Sequence, residues 1–142
     1  MKIKAMVVDD SGIMRKMVMR SLDETKMATF EYVEGVDGAD ALEKFDPEEI
    51  EMLFVDWNMP NMNGLEFICK VREITDHHIP VVMITTERTM GKVEEAMEQA
   101  GVDTFICKPF TTDVLKKKLE ILFEKIEDDS EGFFGAIASK SA

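Results

Sequence analysis

Short unbroken apolar runs alternate along this chain with longer stretches whose apolar residues recur three and four positions apart. Ile3 to Val8 is the first run, rich in Val and Ile, and reads as a strand. Ile13, Met14, Met17, Val18 and Leu22 then follow at helical spacing. Phe30 to Val33 is a short, weaker strand. Gly38, Ala41, Leu42 and Phe45 share one helical face, and Pro47 ends that helix. Met52 to Asp56 is the third strand. Leu65, Ile68 and Cys69, with Val71 and Ile74 alongside, mark a helix after an Asn63-Gly64 turn. Ile79 to Thr85 is the fourth strand. Val93, Ala96, Met97 and Ala100 lie at i, i+3, i+4 and i+7, with Gly101 where a C′ glycine belongs. Thr104 to Cys107 is the fifth strand. Thr111 or Thr112 can cap a last helix whose apolar face includes Leu115, Leu119, Leu122 and Ile126.

Five strand–helix units in succession predict a doubly wound α/β fold, a five-stranded parallel sheet with helices on both faces. The strands are apolar throughout rather than alternating, as burial on both faces requires. One domain over 1–126 follows. The remainder, 127–142, reads "EDDSEGFFGAIASKSA". It starts acidic, then holds Phe133, Phe134 and Ile137 among small residues, and is expected to be a flexible tail or a short docking peptide.

Composition adds limits. The 142 residues are 45% hydrophobic and 32% charged, the balance of a globular domain with a real core. The formal net charge of −12 argues against nucleic acid and against an anionic membrane surface as partners. It suits basic partners or divalent cations. Cys69 and Cys107 stand in apolar runs without metal-type spacing, so both are expected to be reduced and buried. The start, Met-Lys-Ile-Lys, meets Asp9 before a signal-peptide core could form, and no apolar stretch approaches the roughly 20 residues of a membrane span. A cytoplasmic protein is expected.

In such a sheet the C-terminal ends of the strands share one edge, where ligands bind. Strand 1 delivers Asp9-Asp10 to that edge, strand 3 Asp56, strand 4 Thr85-Thr86 and strand 5 Lys108-Pro109. Strand 2 ends at Glu34-Gly35 and offers nothing as pointed. Singly, each has a plain explanation: Asp10 or Ser11 as a helix cap, Asp56 as a turn residue, Lys108 as a solvated charge. Together they form a constellation. Three carboxylates about 4 Å apart repel by on the order of 4 kcal/mol per pair at an intermediate dielectric. A hard cation such as Mg²⁺, which uses carboxylates, waters and phosphate oxygens, would offset that charge. Lys108 and Thr85 suit further phosphate oxygens. A carboxylate at the centre can act as a nucleophile toward phosphorus.

The stretches "VVDDSGIMRK", "VDWNMPNMNGLEF", "VVMITTE" and "FICKPF" together resemble the receiver domain of two-component response regulators, especially its single-domain chemotaxis members. The resemblance spans roughly residues 1 to 126. It implies the flavodoxin-like strand order 2-1-3-4-5. It implies Asp56 as the residue phosphorylated by a histidine kinase of the chemotaxis type. Mg²⁺ would be held by Asp10, Asp56 and the backbone carbonyl of Asn58, with Asp9 acting mostly through water. Thr85 would close on the phosphoryl group and Lys108 would pair with it, its direction set by a cis Lys108-Pro109 bond. Phe105 would be an aromatic switch that turns inward when Thr85 moves. Asn58, Thr86 and Glu87 occupy positions that tune phosphoryl lifetime. Phe105 stands where many chemotaxis regulators have tyrosine, so an output using a phenol hydroxyl is lost. Thr86 stands where Ala is common, adding bulk.

The implied protein is a monomeric signalling module, not an enzyme, although it assists its own phosphotransfer and dephosphorylation. Its output would be the face of helix 4, strand 5 and helix 5, with Phe105 and Lys92. Implied partners are a flagellar motor switch protein or other target, and a phosphatase. Other readings remain at this stage: a stand-alone receiver in another phosphorelay, a receiver cut from a larger regulator, or a Mg²⁺-dependent phosphohydrolase working through an aspartyl phosphate. The last lacks the second acid of an Asp-x-Asp pair, since the segment reads Asp56-Trp57-Asn58. A flavin binder would not place Asp9-Asp10 in its phosphate loop. His77 and His78 read as exposed loop residues rather than metal ligands.

Overall fold

Side chains alternate across a strand, so an apolar run covers both faces of a sheet at once. In a computed structural model of the chain, which describes residues 1–86 and 90–129, that rule sorts the core into two layers. The elements are β1 (Lys2–Val8), α1 (Gly12–Thr25), β2 (Thr29–Gly35), α2 (Gly38–Lys44), β3 (Met52–Val55), α3 (Gly64–Ile74), β4 (Val81–Thr85), α4 (Met90–Ala100), β5 (Thr104–Cys107) and α5 (Thr112–Asp129). The strands are all parallel, in the order β2-β1-β3-β4-β5. Ile3, Ala5, Val7, Met52, Phe54, Val82 and Ile84 join Val18 and Leu22 of α1 and Leu115, Leu119 and Leu122 of α5. Their neighbours in sequence, Met6, Val8, Leu53, Val55, Val81 and Met83, join Phe67, Ile68 and Val71 of α3 on the other side. Truncating a core residue such as Phe54 would cost about 3–5 kcal/mol.

Local signals set the helix ends. Ser11 caps α1 through Met14 N–H, and Asp37 caps α2 through Asp40 N–H. Asn63 does more than close a turn: with Glu66 it forms a full capping box for α3. Gly101 adopts φ 62°, the left-handed conformation expected of a C′ glycine. Thr111 Oγ1 accepts from Val114 N–H and so caps α5.

Several boundaries differ from the pattern reading. The second strand runs Thr29–Gly35 rather than Phe30–Val33, because it pairs with β1 along its whole length, Lys2↔Thr29 to Val8↔Gly35. β4 begins at Val81, after Pro80, which has no N–H to add to the ladder. α2 ends at Lys44, before Pro47 is reached. α5 continues to Asp129, past the expected domain end at Ile126. The rest of the 127–142 tail, with Phe133, Phe134 and Ile137, lies outside the described residues, as does Glu87.

Several apolar assignments also change. Ile13 is 74% and Met17 49% exposed, because they lie about 140° and 100° round the helix from Val18, which with Leu22 faces the sheet. Met97 is exposed beside buried Ala96 and Ala100 for the same reason. The cysteines are not buried: Cys69 is half-buried beside Ile68, and Cys107 is exposed on the edge strand next to buried Ile106. Both are free thiols. No helix among the described residues is long and apolar enough to cross a membrane.

Candidate functional site

Strand register brings the chemistry together. Val8 pairs with Val55, so Asp9 and Asp56, the next residue of each chain segment, leave neighbouring strands at one level. Asp56 N–H bonds the Val8 carbonyl at 2.9 Å, and Asp9 N–H bonds the Gly35 carbonyl at 3.1 Å. Thr85 pairs with Cys107 and accepts Lys108 N–H on its carbonyl at 2.9 Å, which places Lys108 at the same edge. The Lys108–Pro109 bond is cis.

Carboxylate oxygens of Asp9, Asp10 and Asp56 lie within 4.8 Å of one another. Asp9 and Asp56 are buried, whereas Asp10 is exposed. Lys108 Nζ stands between the two buried acids, 2.8 Å from Asp9 Oδ2 and 3.4 Å from Asp56 Oδ1. Asp9 Oδ1 accepts Ser11 N–H at 2.9 Å. Burial pushes the Asp56 carboxyl above its usual range; Lys108 pulls it back, and the charge of Asp9 adds to the push. One lysine against three carboxylates leaves a net negative pocket of hard oxygen donors. That donor set fits a small divalent cation with waters in its remaining positions. Thr85, fully buried, ends β4, and exposed Thr86 follows it. Phe105 is half-buried on β5, and its ring lies 6.3 Å from that of Trp57, the residue after Asp56.

The loop after β3 is tightly located. Gly64 N–H bonds the Trp57 carbonyl at 2.8 Å, and a Cβ on Gly64 would collide with the Asp56 carbonyl oxygen, so only glycine lets α3 start so close to the acid. Asn58, exposed, lies within this loop.

Four residues here were not singled out by the pattern. Arg15 donates to the Asp9 carbonyl at 2.7 Å and to Glu34 Oε1 at 3.0 Å, which gives the end of strand 2 a role after all. Asn61 Nδ2 donates to Asp37 Oδ2 at 2.7 Å. Arg15 and Asp37 follow strand ends by a few residues, which is a usable signal. That Asn61 meets Asp37 is decided by the fold. His77 and His78 bond Asp76 and Asp103 at the far edge of the sheet and are no part of the site.

A parallel sheet with an acidic cluster and a lysine at its carboxyl edge has the architecture of a receiver, and comparison with known proteins agrees. The chain belongs to the response regulator receiver domain family, whose profile matches residues 5–120. It is 42% identical over 122 residues to the chemotaxis protein CheY1 of Helicobacter pylori, covering 84% of this chain and 96% of that one. It is 43% identical over 122 residues to a CheY homologue of Campylobacter jejuni, covering 83% and 90%. The solved structure of the chemotaxis response regulator CheY4 of Vibrio cholerae superposes with a TM-score of 0.73 at 31% identity, over 86% of this chain and 99% of that one. The chain is a receiver domain homologous to the CheY chemotaxis proteins, a class of signalling modules.

Proposed function

We propose that the chain is a phosphorylation-controlled switch in chemotaxis, accepting a phosphoryl group on Asp56 from a histidine kinase. The observation that carries this is the position of Asp56: a buried carboxylate at the mouth of β3, beside Asp9 and Asp10 and 3.4 Å from Lys108 Nζ. In the transfer, a carboxylate oxygen of Asp56 attacks the phosphorus of a phosphohistidine. An O–P bond forms, the P–N bond breaks, and the leaving imidazole nitrogen keeps the electron pair and takes up a proton. Mg²⁺ held by Asp10, Asp56 and the Asn58 carbonyl, with Asp9 acting mostly through water, would neutralise charge on the phosphoryl oxygens.

The protein's own residues do the rest. Asp56 must be ionised to attack. Lys108 gives up its 3.4 Å contact with the Asp56 carboxylate for a phosphoryl oxygen. The Thr85 hydroxyl donates to another. Movement at Thr85 reaches Phe105 across the β4–β5 pair, and with it the face of α4, β5 and α5. Met97 of α4 and Val114 of α5 are exposed, as is Lys92 of α4, and this face is the docking surface for a flagellar motor switch or related target. Asn58, Thr86 and Glu87 occupy the sequence positions that tune how long the signal lasts, alone or with a phosphatase. The switch works as a cytoplasmic monomer.

The test is the intact mass of the purified protein after incubation with acetyl phosphate. One added phosphoryl group is expected, requiring both Mg²⁺ and Asp56 and absent from Asp56→Asn. Addition that persists in Asp56→Asn, or no addition to the wild type, overturns the proposal.

A further inference from the structure

Asp37 is a charged residue in the β2–α2 connection, buried to 8% exposure and outside the acidic cluster. Its two carboxylate oxygens do different work. Oδ1 accepts Asp40 N–H at 2.8 Å and caps α2, a task that a serine hydroxyl performs equally well. Oδ2 accepts Asn61 Nδ2 at 2.7 Å, a charge-assisted bond to a residue on the loop that carries Asn58. These amide donors hold the Asp37 carboxyl below its usual range.

The contact is not isolated. Gly38 N–H bonds the Met62 carbonyl at 3.0 Å, and a Cβ on Gly38 would stand 2.5 Å from that oxygen. Asn61 has φ 67°, a left-handed conformation that Asn tolerates better than most residues. The start of α2 therefore grips the far side of the loop that begins at Asp56, while the start of α3 grips its end through Gly64 and Trp57.

We propose that Asp37 is a positioning residue for the cation site: through Asn61 it fixes the turn that presents the Asn58 carbonyl to the ion. This rests on the Mg²⁺ reading of the acidic cluster. A carbonyl ligand on a loop is useful only where the loop is held, because ordering it at the moment of binding would subtract from affinity. The Asp37–Asn61 bond does that ordering in advance, from a residue that touches no ligand itself.

The experiment is a Mg²⁺ titration of the full chain, followed by the emission of Trp57, its single tryptophan, and by calorimetry. Asp37→Ser keeps the helix cap and loses the tether. Asn61→Gly loses the tether without changing charge, suits the left-handed conformation, and alters an exposed residue. The exchanged pair Asp37→Asn with Asn61→Asp keeps an acceptor for the cap and restores the tether with donor and acceptor reversed. The single Asn61→Asp controls for its added charge. Each tether-breaking single variant is expected to weaken Mg²⁺ binding about tenfold, and the exchanged pair to recover most of that loss relative to Asn61→Asp. A structural role alone would not give this recovery. A wild type that binds Mg²⁺ with single variants that bind equally well overturns the inference alone. A wild type that does not bind Mg²⁺ overturns the cation reading and this inference with it.

Discussion

The two ends of the sheet handle charge in opposite ways. At the amino end of β4 and β5, Arg72 donates to the carbonyls of Ile79 at 2.6 Å, Gly101 at 2.8 Å and Ala100 at 3.1 Å. It also lies 3.8 Å from Asp103. Asp103 in turn accepts Val81 N–H at 2.7 Å and meets His78 at 2.9 Å. Burial pulls the Arg72 guanidinium below its usual range, and Asp103 opposes that pull. A cation there sits on the last carbonyls of α4, where the helix dipole favours it. At the carboxyl end, Asp9, Asp10 and Asp56 converge on Lys108. One end is closed and compensated; the other is held short of positive charge. The same fold thus carries a structural ion cluster and a site poised for a cation, and the difference lies in how fully each charge is answered.

That contrast can be broken first at Arg72. Arg72→Met removes three carbonyl contacts and leaves Asp103 part-buried without its guanidinium, so unfolding stability should fall by about 3 kcal/mol in urea titrations. A change near zero would mean that the amino end is no more compensated than the carboxyl end.

Asp56→Asn should act with the opposite sign, raising the stability of the metal-free protein by about 1 kcal/mol at neutral pH. Because burial raises the proton affinity of folded Asp56, its stabilising contribution is full below the ordinary carboxylate value of 3.8 and is lost as pH rises through the raised folded value. The gain from Asp56→Asn should therefore shrink toward nothing as pH falls to that ordinary value. Denaturant melts of both proteins across pH read this directly, and a gain that grew in acid would contradict the raised pKa.

The smallest effect belongs to Ile13→Ser. At 74% exposure it should change stability by less than about 0.5 kcal/mol, although the residue shares the helical spacing of core positions. A larger loss would show that the amino-terminal turn of α1 is packed against something.

Much of the carboxyl edge was legible before any coordinates. Asp9, Asp56 and Lys108 each follow directly on an apolar strand and Thr85 ends one, and a parallel α/β fold has one place for such residues. The tethers around them were not. Arg15–Glu34 and Asp37–Asn61 join residues 19 and 24 positions apart, and no periodicity records which loops meet. Ile13, Met17 and Met97 misled for a related reason: helical spacing identifies an apolar stripe to within about one residue, and one residue is about 100° of rotation.

By itself, then, the sequence determined the fold class, the two-faced burial of its strands and the residue types at the sheet's reactive edge. Those follow from local chemistry: side-chain period, caps, and the abrupt end of each apolar run. Tertiary structure alone decided that Lys108 answers Asp9 more closely than Asp56, that α2 grips the loop of Asn58, and that Cys107 faces outward. These depend on strand register and helix rotation, which arise from many weak contacts acting together and leave no mark at any single position.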